Sequence, residues 1–168
     1  MVGDQAGLTQ ERPVTTVNIP AVGTAAPAFE LRDQHGTPVQ LADVRGRPVL
    51  LVFFPYAFTT VCTDELRELR DGFAGDESVL AVSCDSMFTL RAYSDTHDIG
   101  FPLLSDFWPH GEVARRYGVF DEERGCALRG TFVIDASGLV RWSVVNPIPA
   151  ARDATEYRRV LDGLAAAS

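Results

Sequence analysis

Residues 54–63 read Phe-Pro-Tyr-Ala-Phe-Thr-Thr-Val-Cys-Thr, which sets Cys62 three residues after Thr59 and seven after Pro55. A thiol acts as a nucleophile through its thiolate, so what matters is whether its surroundings favour negative charge. If Thr59 is the N-cap of a helix, Cys62 is the third helical residue. Backbone N–H groups of that turn have no intrahelical acceptor, and together with the helix dipole they favour a thiolate. Thr59 also stands where a Cys-x-x-Cys disulfide oxidoreductase would carry its first cysteine. A buried packing cysteine is the alternative, since free cysteines are among the most buried residues, but a strand-to-helix junction suits anion chemistry better than inert packing.

The elements around this stretch must hold the sulfur in place. Val49 to Phe54 is an unbroken apolar run of strand length, expected as a central parallel strand buried on both faces and ended by Pro55. A helix is expected from about Thr60, with Leu66, Leu69 and Phe73 at offsets of four, seven and eleven from Cys62, and with Gly72 and Gly75 near its stop. The shared face turns the sulfur inward, so access requires a pocket, with Phe54 and Pro55 as its walls. "SVLAVSC" reads as a second buried strand, and "SMFTLRAYSDTHDIG" as a helix closed by Gly100.

Upstream, Phe29, Leu31, Val39 and Leu41 flank the turn-forming "DQHG", which suggests a small hairpin lying as a lid on the core. Downstream, a turn is expected around Trp108 and Pro109, and a short helix near Glu112 to Tyr117. Two strands about an Asp135 to Gly138 turn and a last helix from about Asp153 to Ala166 complete the chain. This order predicts an α/β thioredoxin-like fold, a mixed central sheet with helices on both faces. Residues 1–22 read as a flexible extension and 23–168 as one domain, consistent with 168 residues at 46% hydrophobic content.

A net charge of −8 without Lys/Arg runs argues against nucleic acid or an anionic membrane as partner. No secretory signal or spanning segment is evident. Three cysteines without paired spacing argue against a secreted disulfide framework, so a cytoplasmic location is the default. His35, His97 and His110 lack ligand spacing and read as solvated surface residues, and no P-loop, dinucleotide-binding or G-x-S-x-G pattern is found. Trp108, with Phe107 and Pro109, reads equally as a packing cluster and as a pocket rim or dimer contact.

Pro55, Thr59 and Cys62 form a P-x-x-x-T-x-x-C pattern that resembles the signature of the peroxiredoxins, and Arg129 in "LRGTFVID" resembles that family's later arginine segment. The resemblance runs from about Pro27 to the final helix. "VFFPYAFTTVCTDEL", "FPLLSDFWPHG" and "YGVF" look most like the alkyl hydroperoxide reductase E type, described as one-cysteine enzymes. The resemblance implies a thiol peroxidase acting on hydrogen peroxide, organic hydroperoxides or peroxynitrite without metal, haem or flavin. Cys62 would be the peroxidatic nucleophile, Thr59 and Arg129 would orient the two peroxide oxygens, and Glu65 would position the arginine. Displacement at an O–O bond builds negative charge on the departing oxygen, which a fixed guanidinium fork can stabilise. Without the family match, Glu65 is only a first-turn glutamate favoured by the dipole.

A sulfenic acid on Cys62 must be reduced by a second thiol. Neither Cys84 nor Cys126 sits where a resolving cysteine is recognisable, so structural packing is expected for both, with Cys126 the less secure case. An external reductant is expected: a low-molecular-weight thiol, a glutaredoxin-like protein or thioredoxin. The resemblance also implies a homodimer or larger homo-oligomer. Rival readings are a two-cysteine mechanism through Cys126 or Cys84, a redox sensor or relay, and a binding or biosynthetic protein that has lost peroxidase action.

Overall fold

The computed structural model describes residues 18–73 and 78–166. Among the described residues, nine strands and four α-helices succeed one another in the order β1 (Glu30–Arg32), β2 (Pro38–Gln40), β3 (Val49–Phe53), α1 (Thr60–Gly72), β4 (Ser78–Ser83), α2 (Met87–His97), β5 (Leu103–Ser105), α3 (Glu112–Arg116), β6 (Phe120–Asp121), β7 (Cys126–Ala127), β8 (Arg129–Ile134), β9 (Val140–Asn146) and α4 (Ala154–Ala166). Seven strands form one sheet in the order β2-β1-β5-β4-β3-β8-β9, and β6 pairs with β7 separately. The neighbours β3, β4 and β5 run parallel, whereas β8 and β9 on one side and β1 and β2 on the other pair antiparallel.

Strand β3 is buried along its whole length because side chains alternate between two cores. Leu51 and Phe53 join Leu80, Val82, Tyr117 and Phe132 on one face. Leu50 and Val52 join Leu66, Leu69, Leu90, Tyr93, Tyr157 and Cys62 on the other. The sheet is therefore mixed with a core on each face, as expected.

Pairing and backbone angles correct the expectation locally. The β1–β2 hairpin is no lid: Arg32 pairs with Ser105, which makes the hairpin an edge of the main sheet. Strand β5 and the β6–β7 pair escape sequence reading because runs of two or three residues carry no period. Helix α2 ends at His97 and is capped by Asp98, which takes the left-handed conformation at φ 54°, instead of being closed by Gly100. Residues 1–17 of the expected 1–22 extension, and Gly75, lie outside the described residues. Asn18 and Ile19 pass so close to Gly118 that a Cβ there would fall 2.8 Å from their backbone, and Gly118 has φ +69°.

Candidate active site

Strand β3 delivers the chain to the site. Phe54 N–H still bonds the Val82 carbonyl at 2.9 Å, and buried Pro55, with no N–H, ends the ladder. The chain turns through Tyr56–Phe58, where Phe58 has φ 66°, a left-handed value that costs a non-glycine residue roughly 1–2 kcal/mol. The Phe58 ring lies edge-on to Tyr93 at 5.0 Å, and that contact offsets part of the strain. Thr59 is the N-cap residue in extended conformation, but its hydroxyl donates to the Tyr56 carbonyl at 3.1 Å instead of accepting from the helix. The first-turn N–H groups are thus left uncapped by that side chain.

Cys62, the third helical residue, is 1% exposed and packs in the same core as Leu66, Leu69, Phe73 and Phe54. From β8, Arg129 reaches across and places Nη2 3.4 Å from the Cys62 sulfur. Its Nη1 donates to Glu65 Oε1 at 2.5 Å, and its Nε donates to the Ile148 carbonyl. Cys62, Arg129 and Glu65, separated by up to 67 positions in sequence, are therefore assembled into one buried cluster.

A fourth member carries no signal in the sequence. Arg152, just before α4, donates from Nε to Glu65 Oε2 at 2.5 Å, from Nη1 to the Gly130 carbonyl and Thr131 Oγ1 at 2.9 Å each, and from Nη2 to the Phe53 carbonyl. Burial pulls its basicity down, and the adjacent Glu65 carboxylate opposes that loss. Nothing in the polar stretch "AARDATE" marks this arginine as different from a surface residue.

The cluster sets two guanidinium charges against one carboxylate, all buried. Uncompensated buried charge is costly, and a thiolate on Cys62, at hydrogen-bonding distance from Arg129, brings the sum to zero. Arg129 Nη2 thus lies at a sulfur carried by the first turn of α1.

The other thiols have opposite surroundings. Burial pushes Cys84 up to about 12, and Asp106, Cys126 and Asp85 add to the rise. Cys126 is raised mainly by burial, opposed by the neighbouring Tyr56; the Tyr56 phenol, whose hydroxyl donates to the Arg124 carbonyl at 3.2 Å, is pushed up to about 12, chiefly by Cys126. Among the histidines, only His35 matches the solvated expectation. His97 is half-buried beside Arg67 and Tyr93, and His110 is half-buried with Nε2 2.6 Å from the Gly125 carbonyl. Among the described residues, no group of three or more His, Cys, Asp or Glu could hold a metal ion.

Trp108 and Phe107 do not form an internal packing cluster: they are 82% and 52% exposed. With Phe88, 73% exposed, they rim a groove of about 570 Å³ that also includes Leu31, Ser86, Met87 and Ser105.

Residues 22–143 match the AhpC/TSA family. The chain belongs to this family of peroxiredoxins. It is 46% identical over 150 residues to alkyl hydroperoxide reductase E of Mycobacterium tuberculosis, covering 86% of this chain and 98% of that protein. It is 35% identical over 162 residues to the chloroplastic 2-Cys peroxiredoxin BAS1 of Spinacia oleracea, covering 88% of this chain and 60% of that protein. The solved structure of Enterococcus faecalis AhpC superposes with a TM-score of 0.79 at 29% identity, over 86% of this chain and 92% of that one. The fold is accordingly thioredoxin-like, and the protein is a thiol-dependent peroxidase. No helix among the described residues is long and apolar enough to cross a membrane.

Proposed function

We propose that Cys62 is the peroxidatic nucleophile and that the protein works by a one-cysteine cycle in the cytoplasm. The Cys62 thiolate attacks one peroxide oxygen and an S–O bond forms as the O–O bond breaks; a departing alkoxide or hydroxide takes up a proton, and peroxynitrite releases nitrite. Two external thiols then reduce the sulfenic acid, releasing water and a disulfide. The net change is one peroxide and two thiols to one alcohol, water or nitrite, one further water and one disulfide. Arg129 and the first-turn N–H groups stabilise the departing oxygen, Thr59 and Pro55 shape the mouth of the site, and Glu65 with Arg152 orients Arg129. Hydrogen peroxide, organic hydroperoxides and peroxynitrite are the proposed substrates, with a low-molecular-weight thiol, a glutaredoxin-like protein or thioredoxin as reductant. The observation that carries this reading is the 3.4 Å contact between Arg129 and the Cys62 sulfur.

The test is one equivalent of hydrogen peroxide added to reduced protein in the presence of a sulfenic-acid trap, with peptide mass analysis of wild type and Cys62→Ser. An adduct confined to Cys62 and lost in the variant is expected. No modification at Cys62 would sink the assignment. A second reading gives the resolving role to Cys126, which neighbours Tyr56, the residue after Pro55; a disulfide joining Cys62 to Cys126 in the same experiment would establish it.

The exposed Phe88, Phe107 and Trp108 support self-association, because so much aromatic surface around one groove is unusual for a monomer. A homodimer or larger ring is proposed. Sedimentation should show an oligomer for wild type and smaller species for Trp108→Glu; a monomeric wild type refutes it.

A further inference from the structure

Asp85 comes directly after Cys84 at the end of β4 and belongs to none of the groups that touch the sulfur, yet it is tied to the turn that carries the site. Its Oδ2 accepts from the Ala57 N–H at 2.9 Å and from the Ser83 hydroxyl at 2.8 Å. Ser83 is fully buried, and its Oγ also accepts the Asp85 N–H at 3.3 Å, so carboxylate and backbone are both held to β4. The Asp85 carbonyl accepts from Ser105 Oγ of β5 at 2.6 Å, and the next residue, Ser86, caps α2 by accepting from the Thr89 N–H at 3.2 Å. Asp85 is thus fastened to β4, β5 and the start of α2, with one carboxylate oxygen extended to the loop.

What it holds is a loop that needs holding. Ala57 lies between Tyr56, whose carbonyl takes the Thr59 hydroxyl, and Phe58, whose φ is 66°. A strained residue persists only when its surroundings over-determine it. On one side the Phe58 ring rests on Tyr93, whose hydroxyl donates to Thr63 Oγ1 at 2.9 Å. On the other side the Ala57 N–H is directed at Asp85. Release of the Ala57 amide would let Phe58 relax toward ordinary angles and shift Thr59 and the first turn of α1, hence the sulfur relative to Arg129.

We infer that Asp85 is a positioning residue for peroxide reduction, acting through the Ala57 amide to fix the Tyr56–Thr59 loop and the start of the Cys62 helix. The inference rests on the proposed role of Cys62. Asparagine can set its amide oxygen where Oδ2 stands and accept from both Ala57 and Ser83, so it preserves the tie, whereas alanine removes it.

The experiment is the stopped-flow rate of Cys62 oxidation by hydrogen peroxide in wild type, Asp85→Ala and Asp85→Asn, with amide hydrogen exchange at Ala57–Thr60 measured on the same proteins. Asp85→Ala is expected to lose about tenfold in rate, since misplacement of a reacting group by a fraction of an ångström is costly. Exchange at Ala57–Thr60 should accelerate while Leu50–Val52 stays protected, and Asp85→Asn should recover most of the rate. An Asp85→Ala protein as fast as wild type overturns the inference, and so does an Asp85→Asn protein as slow as Asp85→Ala. If wild-type Cys62 itself does not react, the role of Cys62 fails; exchange at Ala57 then still reports whether Asp85 holds the loop, and unchanged exchange overturns that too.

Discussion

Two regions of this molecule bury free cysteines among different charges, and the proposed cycle uses only the first. Cys62 meets a helix N-terminus and Arg129; Cys84 meets Asp106 and Asp85, and Cys126 meets Tyr56. Burial by itself favours the neutral thiol in both places. The difference lies in the neighbours: a buried guanidinium beside Cys62, and carboxylates beside Cys84 that add to the effect of burial. Exposure does not separate the three thiols, all of which are buried; under the proposed assignment the neighbouring charge does.

The comparison breaks most visibly at Arg129. Arg129→Lys keeps a positive charge but replaces a fork that serves Glu65, Ile148 and the sulfur at once. The rate of peroxide reduction at fixed pH should fall about a hundredfold, as for loss of an oriented donor to developing charge. A rate within about threefold of wild type, a small loss beside that of an oriented donor, would mean that charge alone suffices.

Glu65→Gln tests the same region through stability. It leaves Arg129 and Arg152 buried face to face, and removal of one partner from a buried ion pair costs about 3 kcal/mol, readable as a lowered urea midpoint. An unchanged midpoint would show that the two cations tolerate each other without a carboxylate.

The smallest effect belongs to the other region. Cys84 is raised from an ordinary value near 9 to about 12, so the folded state holds its proton more tightly than the unfolded chain. Its contribution to stability is complete below about pH 9 and is lost as pH rises toward 12. The thermal midpoint should therefore decline over that window, and less steeply in Cys84→Ala. Equal slopes would show that Cys84 is not the group responsible.

Much of this arrangement is legible in the chain before folding. The apolar run at Val49–Phe53, the junction at Pro55 and the spacing of Cys62, Leu66, Leu69 and Phe73 are local patterns, and local patterns set elements and faces. Arg129 and Glu65 are legible only through the family resemblance. Arg152 is not legible at all, because its partners Glu65, Phe53 and Gly130 come from distant strands and a helix, and no spacing within its own loop encodes them. The same holds for Asp85, which in sequence is one polar residue between a strand and a helix cap.

The two-to-one balance of buried charges also discriminates between the oxidised forms of the sulfur. In the proposed cycle, a sulfenic acid is neutral and strips the Arg129–Glu65–Arg152 cluster of its fourth charge, whereas a sulfinic acid ionises and restores it. In that cycle the cluster that favours the thiolate also favours the step that ends the enzyme's life. Under excess peroxide, intact mass should show the doubly oxygenated sulfur accumulating at the expense of the singly oxygenated one, and external thiol should suppress it.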